Sequence, residues 1–391
     1  MSKRTATYII VNNLGGITSL VINLIWFRGA AALPQELVLL NIAGSVNAPA
    51  AIPETEGLEV RQFKLHPGRN WYSLYSGLAA AIDHTEGVLI SNDVYELIML
   101  THYNVPKKVV QIVHDAYNVK LSVQFEMVVD TFICHSLFYY EMLCQLLHHR
   151  REDIHHLPYG IPLAHTPVKS RKHDRPLQLF FLGRHDMNKG VYDLYEIHRL
   201  LRKKGIPVRW LILGKGPGTD TLKQQWQHEP DVQFHTPATN EEVLELAAAS
   251  DIFVFPTKFE GFPVALVETM SVGCVPVASD LPGGIRELIA DGKTGFRCKL
   301  DDNQAFADQV EKLHLDRELL DTMSRNAYET IHAGYNAETQ SPQYQQLFSR
   351  VAAAPGSPRH HAVKKKLGSR LDQPWMPDAL VKYLRKASDQ Q

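Results

Sequence analysis

Phe255 to Phe296, FPTKFEGFPVALVETMSVGCVPVASDLPGGIRELIADGKTGF, decides how the chain reads. Ile252 to Phe255 and Val275 to Ala278 have the β-branched and aromatic make-up of buried strands. Between them stand Glu260 and Glu268, separated by seven residues. Pro263 suits the start of a helix, which leaves Glu260 in the loop before it and Glu268 inside it. A parallel sheet built this way presents both carboxylates at its carboxyl edge, where ligands bind in open α/β folds.

Working outward, the same alternation repeats. Leu177 to Leu182, Val208 to Leu213 and Val232 to Phe234 precede the stretch as further strands. Thr239-Asn240-Glu241-Glu242 offers a capping box that starts a helix between them. An earlier series runs through Thr7 to Val11, Glu36 to Leu40, Leu58 to Phe63, Val88 to Ser91, Val109 to Val113 and Val128 to Cys134. Strands alternating with helix-length segments predict βαβ units and parallel sheets. The expected fold is therefore α/β with two doubly wound domains, residues 1–165 and 172–345, joined by the polar, proline-bearing Leu163 to Pro176. From 352 to 391 the chain changes character, with a small, basic connector and then Pro377, Leu380, Val381 and Leu384 at helical spacing.

The chain has 391 residues, 45% of them hydrophobic and 21% charged, which is a globular composition of more than one core. A formal net charge of -1 lacks the electrostatic footprint of a nucleic-acid binder. Cys134, Cys144, Cys274 and Cys298 form no C-x-x-C pair and read as reduced thiols of a cytoplasmic protein. Thr5 to Phe27 is uncharged, but Asn12, Asn13, Gly15 and Gly16 break it into strand, loop and helix rather than a membrane span. The histidine pairs at 148–149, 155–156 and 360–361 have no ligand-spaced partner and read as exposed polar residues.

The order Pro256, Glu260-Gly261-Phe262-Pro263, Glu268, Gly273-Cys274-Val275-Pro276-Val277, Gly283-Gly284, Glu287, Asp291-Gly292 and Gly295-Phe296 resembles the donor-binding signature of the retaining family-four (group 1) glycosyltransferases. That resemblance implies a GT-B fold, two Rossmann-like domains facing a central cleft, the first on the acceptor side and the second holding a nucleotide sugar. It implies that Glu268 binds the ribose hydroxyls and Glu260 the hydroxyls of the donor sugar, with Gly261, Phe262 and Pro263 alongside. It implies transfer to an acceptor hydroxyl with retention. It further implies that a terminal helix crosses back to the first domain.

Other elements fit the same resemblance. Gly183-Arg184 and Lys189-Gly190 follow a strand, and two cations there can hold a diphosphate and offset the charge of a leaving nucleotide. Alone, such a pair is more often solvated surface. Gly214-Lys215-Gly216-Pro217-Gly218 is G-x-G-x-G rather than the dinucleotide G-x-G-x-x-G, and no acidic residue ends the next strand. The resemblance sets Gly214 and Gly216 near the nucleotide. Gly15 and Gly16 open a helix whose amides can face a phosphate or the reacting sugar, or form an ordinary βα turn. His114 ends a strand and resembles the family's cleft histidine, completing a catalytic set with Glu260, Arg184 and Lys189. Ile154 to Ile161 resembles the closing element of the first domain, with Tyr159 where asparagine is commoner, and Thr236 stands where glycine is frequent.

No Asp-x-Asp occurs, so no metal ligands are expected, and no cofactor beyond the nucleotide-sugar co-substrate. The expected partners are a nucleotide sugar and a glycan or lipid-linked acceptor, with no nucleic acid. The basic tail leaves peripheral contact with the inner membrane face open. An epimerase or phosphorylase of the same architecture, and a catalytically silent sugar-nucleotide-binding subunit, are the alternatives; measurable donor hydrolysis would exclude the last.

Overall fold

The computed structural model describes residues 4–13, 15–44, 52, 54–66, 68–163, 175–362 and 368–388. The chain divides into two compact units. The first takes Met1–His135, Tyr139–Gly160 and Ala337–Gln391; the second takes Ser136–Phe138 and Ile161–Asn336.

In the first unit β1 (Thr5–Val11), α1 (Gly16–Trp26), β2 (Gln35–Ile42), β3 (Leu58–Leu65), α2 (Trp71–Ala81), β4 (Gly87–Ser91) and α3 (Val94–Leu100) follow one another. After them come β5 (Lys107–Val113), α4 (Ala116–Gln124), β6 (Thr131–Cys134), α5 (Leu137–Leu146, in this unit from Tyr139 on) and β7 (Ile154–His156). The described strands make one parallel sheet in the order β3-β2-β1-β4-β5-β6-β7. Strands β1, β4 and β5 are buried almost throughout because helices cover both faces, which is why they are near-continuous apolar runs. The edge strand β3, LEVRQFKL, instead alternates, and its charged side chains blunt the open edge.

The second unit runs β8 (Leu177–Leu182), α6 (Asp193–Lys203), β9 (Val208–Leu213), α7 (Thr219–Gln225), β10 (Val232–His235), α8 (Asn240–Ala248), β11 (Ile252–Phe255) and α9 (Val264–Ser271). It continues through β12 (Val275–Ser279), α10 (Gly284–Leu288), β13 (Phe296–Cys298), α11 (Asn303–Leu315) and α12 (Arg317–Gly334). Its sheet is parallel in the order β10-β9-β8-β11-β12-β13. Asp251, fully buried, accepts both arms of the Arg175 guanidinium at 2.7 and 2.8 Å and the amide of Gln178 at 2.8 Å. A carboxylate taken out of water needs that many donors, and these register β8 against the start of β11.

At Ala337 the chain returns to the first unit, earlier than the boundary at 345 expected from sequence. Helix α13 (Ala337–Ala353) packs on α1, β4 and β5. Its buried Gln345 donates to Tyr8 Oη and to Leu24 O, both at 2.9 Å, and Tyr344 Oη donates to Leu157 O at 2.7 Å. The last helix, α14 (Asp378–Ser388), also lies in the first unit. Among its described side chains Val381 is buried and Leu384 half-buried, whereas Pro377 before it and Leu380, 45% exposed, do not join the packed face that their spacing suggested.

Two other expectations change. The strand read from Val128 starts only at Thr131, because Glu126–Val128 is a 3-10 turn whose carbonyl, with that of Asp130, is taken by the Arg150 guanidinium at 2.6 and 3.0 Å. Strand β13, three residues around Arg297, was too short to show a pattern. His148 and His149 are exposed as expected, with His149 meeting Glu126 at 3.1 Å, whereas His155 and His156 are half-buried and His360 is buried with Nε2 on Val105 O at 3.0 Å. Residues 164–174 of the linker fall outside the described residues.

Candidate active site

Each sheet reverses its direction of growth once, between β1 and β4 in the first unit and between β8 and β11 in the second. Diverging loops at such a switch point leave a crevice at the carboxyl ends of the strands. The candidate residues gather there, each within its own unit.

In the second unit the loops after β8 and β11 are fastened together. Lys258 N donates to Asn188 O at 2.8 Å, and Thr257 Oγ1 to the same oxygen at 3.2 Å. Gly190 sits at φ +65°, and a Cβ there would lie 1.8 Å from Pro256 O, so only glycine allows the approach. The fastening brings Lys189 Nζ to 2.5 Å from Glu260 Oε1, which also accepts from Thr257 Oγ1 at 3.0 Å. The Glu260 side chain is 8% exposed and that of Lys189 30%. Arg184 does not join them: its side chain is 64% exposed and rests on Asp186 at 3.2 Å. The two cations are thus not assembled as one clamp.

Pro263 caps α9, so Glu260 and Gly261 precede the helix and Glu268 lies within it. The Glu268 residue is half-buried, and desolvation of its carboxyl group pushes the pKa up to about 7, opposed by a side-chain hydrogen bond from Asn240. Asn240 opens α8, whose cap Thr239 accepts from Glu242 N at 3.2 Å, while Glu242 turns to His235 and Ala238 N at 2.6 and 2.7 Å. Half-buried Phe262 lies 6.0 Å from the Tyr335 ring. Pro263 packs so closely on Gly284 that a Cβ there would meet Pro263 Cδ at 2.5 Å.

Gly214 and Gly216 have a packing role that the sequence did not show. Gly214, at φ +121°, would place a Cβ 2.0 Å from Gly183 O, and Gly216 one 2.7 Å from His185 O. Backbone bonds from His185 N to Lys215 O (3.3 Å) and from Gly218 N to His185 O (3.0 Å) join the two loops. His185, 1% exposed, sits beneath with Nδ1 3.0 Å from Thr219 Oγ1.

In the first unit Gly15 caps α1 without a side-chain bond, and both Gly15 and Gly16 are exposed. Among described atoms only Asn13 Oδ1, at 4.0 Å, approaches a Cβ added to Gly15. His114 follows β5, and Asp115 caps α4 by accepting from Asn118 N at 2.9 Å. Asn118 Oδ1 takes the His114 amide at 3.2 Å, and Asn92 Oδ1 lies 3.2 Å from His114 Nε2. Because Asn92 Nδ2 already donates to Ile9 O, its Oδ1 faces the ring, so Nε2 carries the proton and Nδ1 is the acceptor. Burial, with His135 beside it, holds the His114 pKa well below the usual value and keeps the ring neutral. Asn92 had no motif to announce it; the signal is its place after the switch-point strand β4.

Among the described residues no cluster of His, Cys, Asp and Glu could hold a metal, and no helix is long and apolar enough to cross a membrane. All four cysteines are free and buried.

Residues 165–330 match the family model described as glycosyl transferases group 1. A candidate colanic acid biosynthesis glycosyltransferase, WcaL of Salmonella typhimurium, is 30% identical over 198 residues, 48% of each chain. The capsular polysaccharide biosynthesis glycosyltransferase CapM of Staphylococcus aureus is 26% identical over 167 residues, 40% of this chain and 42% of that one. The match thus spans about half the length of these relatives or less. Among solved structures, HepE of Anabaena in complex with UDP and glucose superposes with a TM-score of 0.72 at 19% identity, covering 89% of this chain and all of that one. At that identity the likeness establishes the fold: two Rossmann-like α/β units, the GT-B class.

Proposed function

We propose that this chain, a glycosyl transferase of group 1 over residues 165–330, moves a sugar from a nucleotide-sugar donor to an acceptor hydroxyl with retention at the anomeric carbon. The contact of Lys189 with Glu260 at the β8/β11 switch point carries the reading. One loop brings a cation for the diphosphate, the other a carboxylate for the sugar hydroxyls, and each holds its partner in place before a donor arrives. Preorganised charge of this kind acts where charge develops in the transition state. HepE was solved with UDP and glucose, which supports a nucleoside diphosphate as the class of ligand.

In this reading the bond from the anomeric carbon to the diphosphate breaks, and the bond to the acceptor oxygen forms on the same face. The acceptor proton passes to the leaving phosphate oxygen, so no strong protein base is required. Lys189, with Arg184 swinging from Asp186, offsets the charge on that phosphate; Glu260 orients the sugar and Glu268 accepts from the ribose hydroxyls. His114 offers Nδ1 to a sugar hydroxyl, and the exposed amides of Gly15 and Gly16 provide further donors. The two cations take the place of a divalent ion, so turnover survives a chelator. The acceptor is a glycan or lipid-linked sugar, a class favoured by the biosynthetic roles named for WcaL and CapM.

The test is titration of the chain with nucleoside diphosphates and screening of their sugar conjugates for transfer. Lys189→Met loses one charge-assisted contact to the diphosphate, worth about 1.5–3 kcal/mol, and so about 10- to 100-fold in affinity. Unchanged diphosphate affinity in this variant, or turnover abolished by EDTA and restored by Mg²⁺ or Mn²⁺, would count against the assignment.

A further inference from the structure

The described end of the chain is a braced helix with one uncovered face. Buried Asp372 accepts from Trp71 N at 2.8 Å and holds the Arg385 guanidinium at 2.8 Å. Asp378 accepts from Arg69 Nε at 2.6 Å and Asn70 N at 3.0 Å, and Asn70 Nδ2 donates to Gln373 O and Met376 O, both at 2.7 Å. These contacts and buried Val381 use one side of α14. At 100° per residue, about 3.6 residues to the turn, Leu380 and Tyr383 lie on another side, and exposed Lys386 and Lys382 follow one another around the helix beyond Tyr383. Tyr383 is 71% exposed, and Trp375, in the turn before the helix, 73%.

Large apolar side chains held open to water on a rigid support mark a docking surface. Their chemistry identifies the partner. Trp and Tyr have an apolar body and a polar edge, the pattern of residues that settle at the headgroup level of a bilayer, and lysine stems lie along apolar surface while the charge stays wet. The acidic groups of this segment, Asp372 and Asp378, are both neutralised by arginine. Exposed Arg370 adds charge, and the sequence from Arg359 to Leu371 contains no acidic residue and includes Lys364-Lys365-Lys366. We propose that Trp375, Leu380 and Tyr383, with Lys382 and Lys386, seat the chain on an anionic lipid surface, lying on it rather than crossing it. The proposal does not depend on the sugar-transfer reading.

The test is flotation of the full chain with vesicles of phosphatidylcholine alone and with about 30 mol% phosphatidylglycerol, at about 0.1 M salt. The chain is expected to float with the anionic vesicles only. The triple variant Trp375→Ser, Leu380→Ser, Tyr383→Ser and the double variant Lys382→Glu, Lys386→Glu should each reduce partition about tenfold or more. These side chains are exposed, so both variants should keep the wild-type melting temperature. Tryptophan emission should shift to the blue on adding anionic vesicles, and the shift should disappear in Trp375→Phe. Failure to float, flotation unchanged in the triple variant, or a wild-type dimer in light scattering that the triple variant dissociates, would overturn the proposal.

Discussion

Glu260 and Glu268 sit in the same short stretch yet experience different surroundings. Glu260 is tied to Lys189 and Thr257, whereas the Glu268 carboxyl is desolvated, with a pKa of about 7. If Glu268 accepts from ribose hydroxyls, binding favours its ionised form. Affinity for the free nucleoside diphosphate should then rise with pH through about 7, beyond any rise seen in Glu268→Gln, which serves as the control for the titration of the phosphate itself. Glu260→Gln should leave the free diphosphate nearly unaffected and lower turnover of the intact donor. Calorimetry of both variants from pH 6 to about 8 decides this; a flat difference between wild type and Glu268→Gln would remove Glu268 from the ribose. The spacing of these two glutamates was readable from the residues between them. What could not be read was that Arg184 turns to Asp186, because a long, exposed side chain has no pattern that fixes its rotamer.

At the scale of elements, strands were legible where both faces are covered, since β1, β4, β5, β8 and β11 must be apolar at nearly every position. Val128 misled because an apolar pair continues the run, while the turn beneath it depends on Arg150, far along the chain. Glycines were harder still: a G-x-G-x-G run is equally consistent with a ligand and with a neighbouring loop. The structure separates the two. Gly214→Ala puts a side chain at φ +121° against Gly183 O and should cost at least about 2 kcal/mol. Gly15→Ala meets open space and should leave thermal stability unchanged. If Gly15→Ala nevertheless weakens donor turnover, the amide end of α1 takes part; if Gly214→Ala melts like wild type, the loops are not held as described.

For the molecule as a whole, the two-unit organisation followed from the double series of strands, but the end of the second unit did not. Ala337–Ala353 reads as an ordinary amphipathic helix, and only three-dimensional packing shows that Tyr344 and Gln345 serve the first unit. A chain cut after Asn336 should therefore lose the cooperative melting of the first unit while the second still melts as a unit. Hydrogen exchange should show β4 and β5 unprotected and β8 and β11 protected; protection of β4 in the shortened chain would refute this.

The return of the chain at Ala337 also sets an order of events during synthesis. A ribosome emits the β1–β7 strands first, then residues Ile161–Asn336 of the second unit, and only then the helix that covers α1, β4 and β5. At about 5–20 residues per second the nascent first sheet waits roughly ten to forty seconds with an apolar face uncovered. The second unit, made later, can finish folding earlier. A holding chaperone is thus needed most by the part of the protein that is born first.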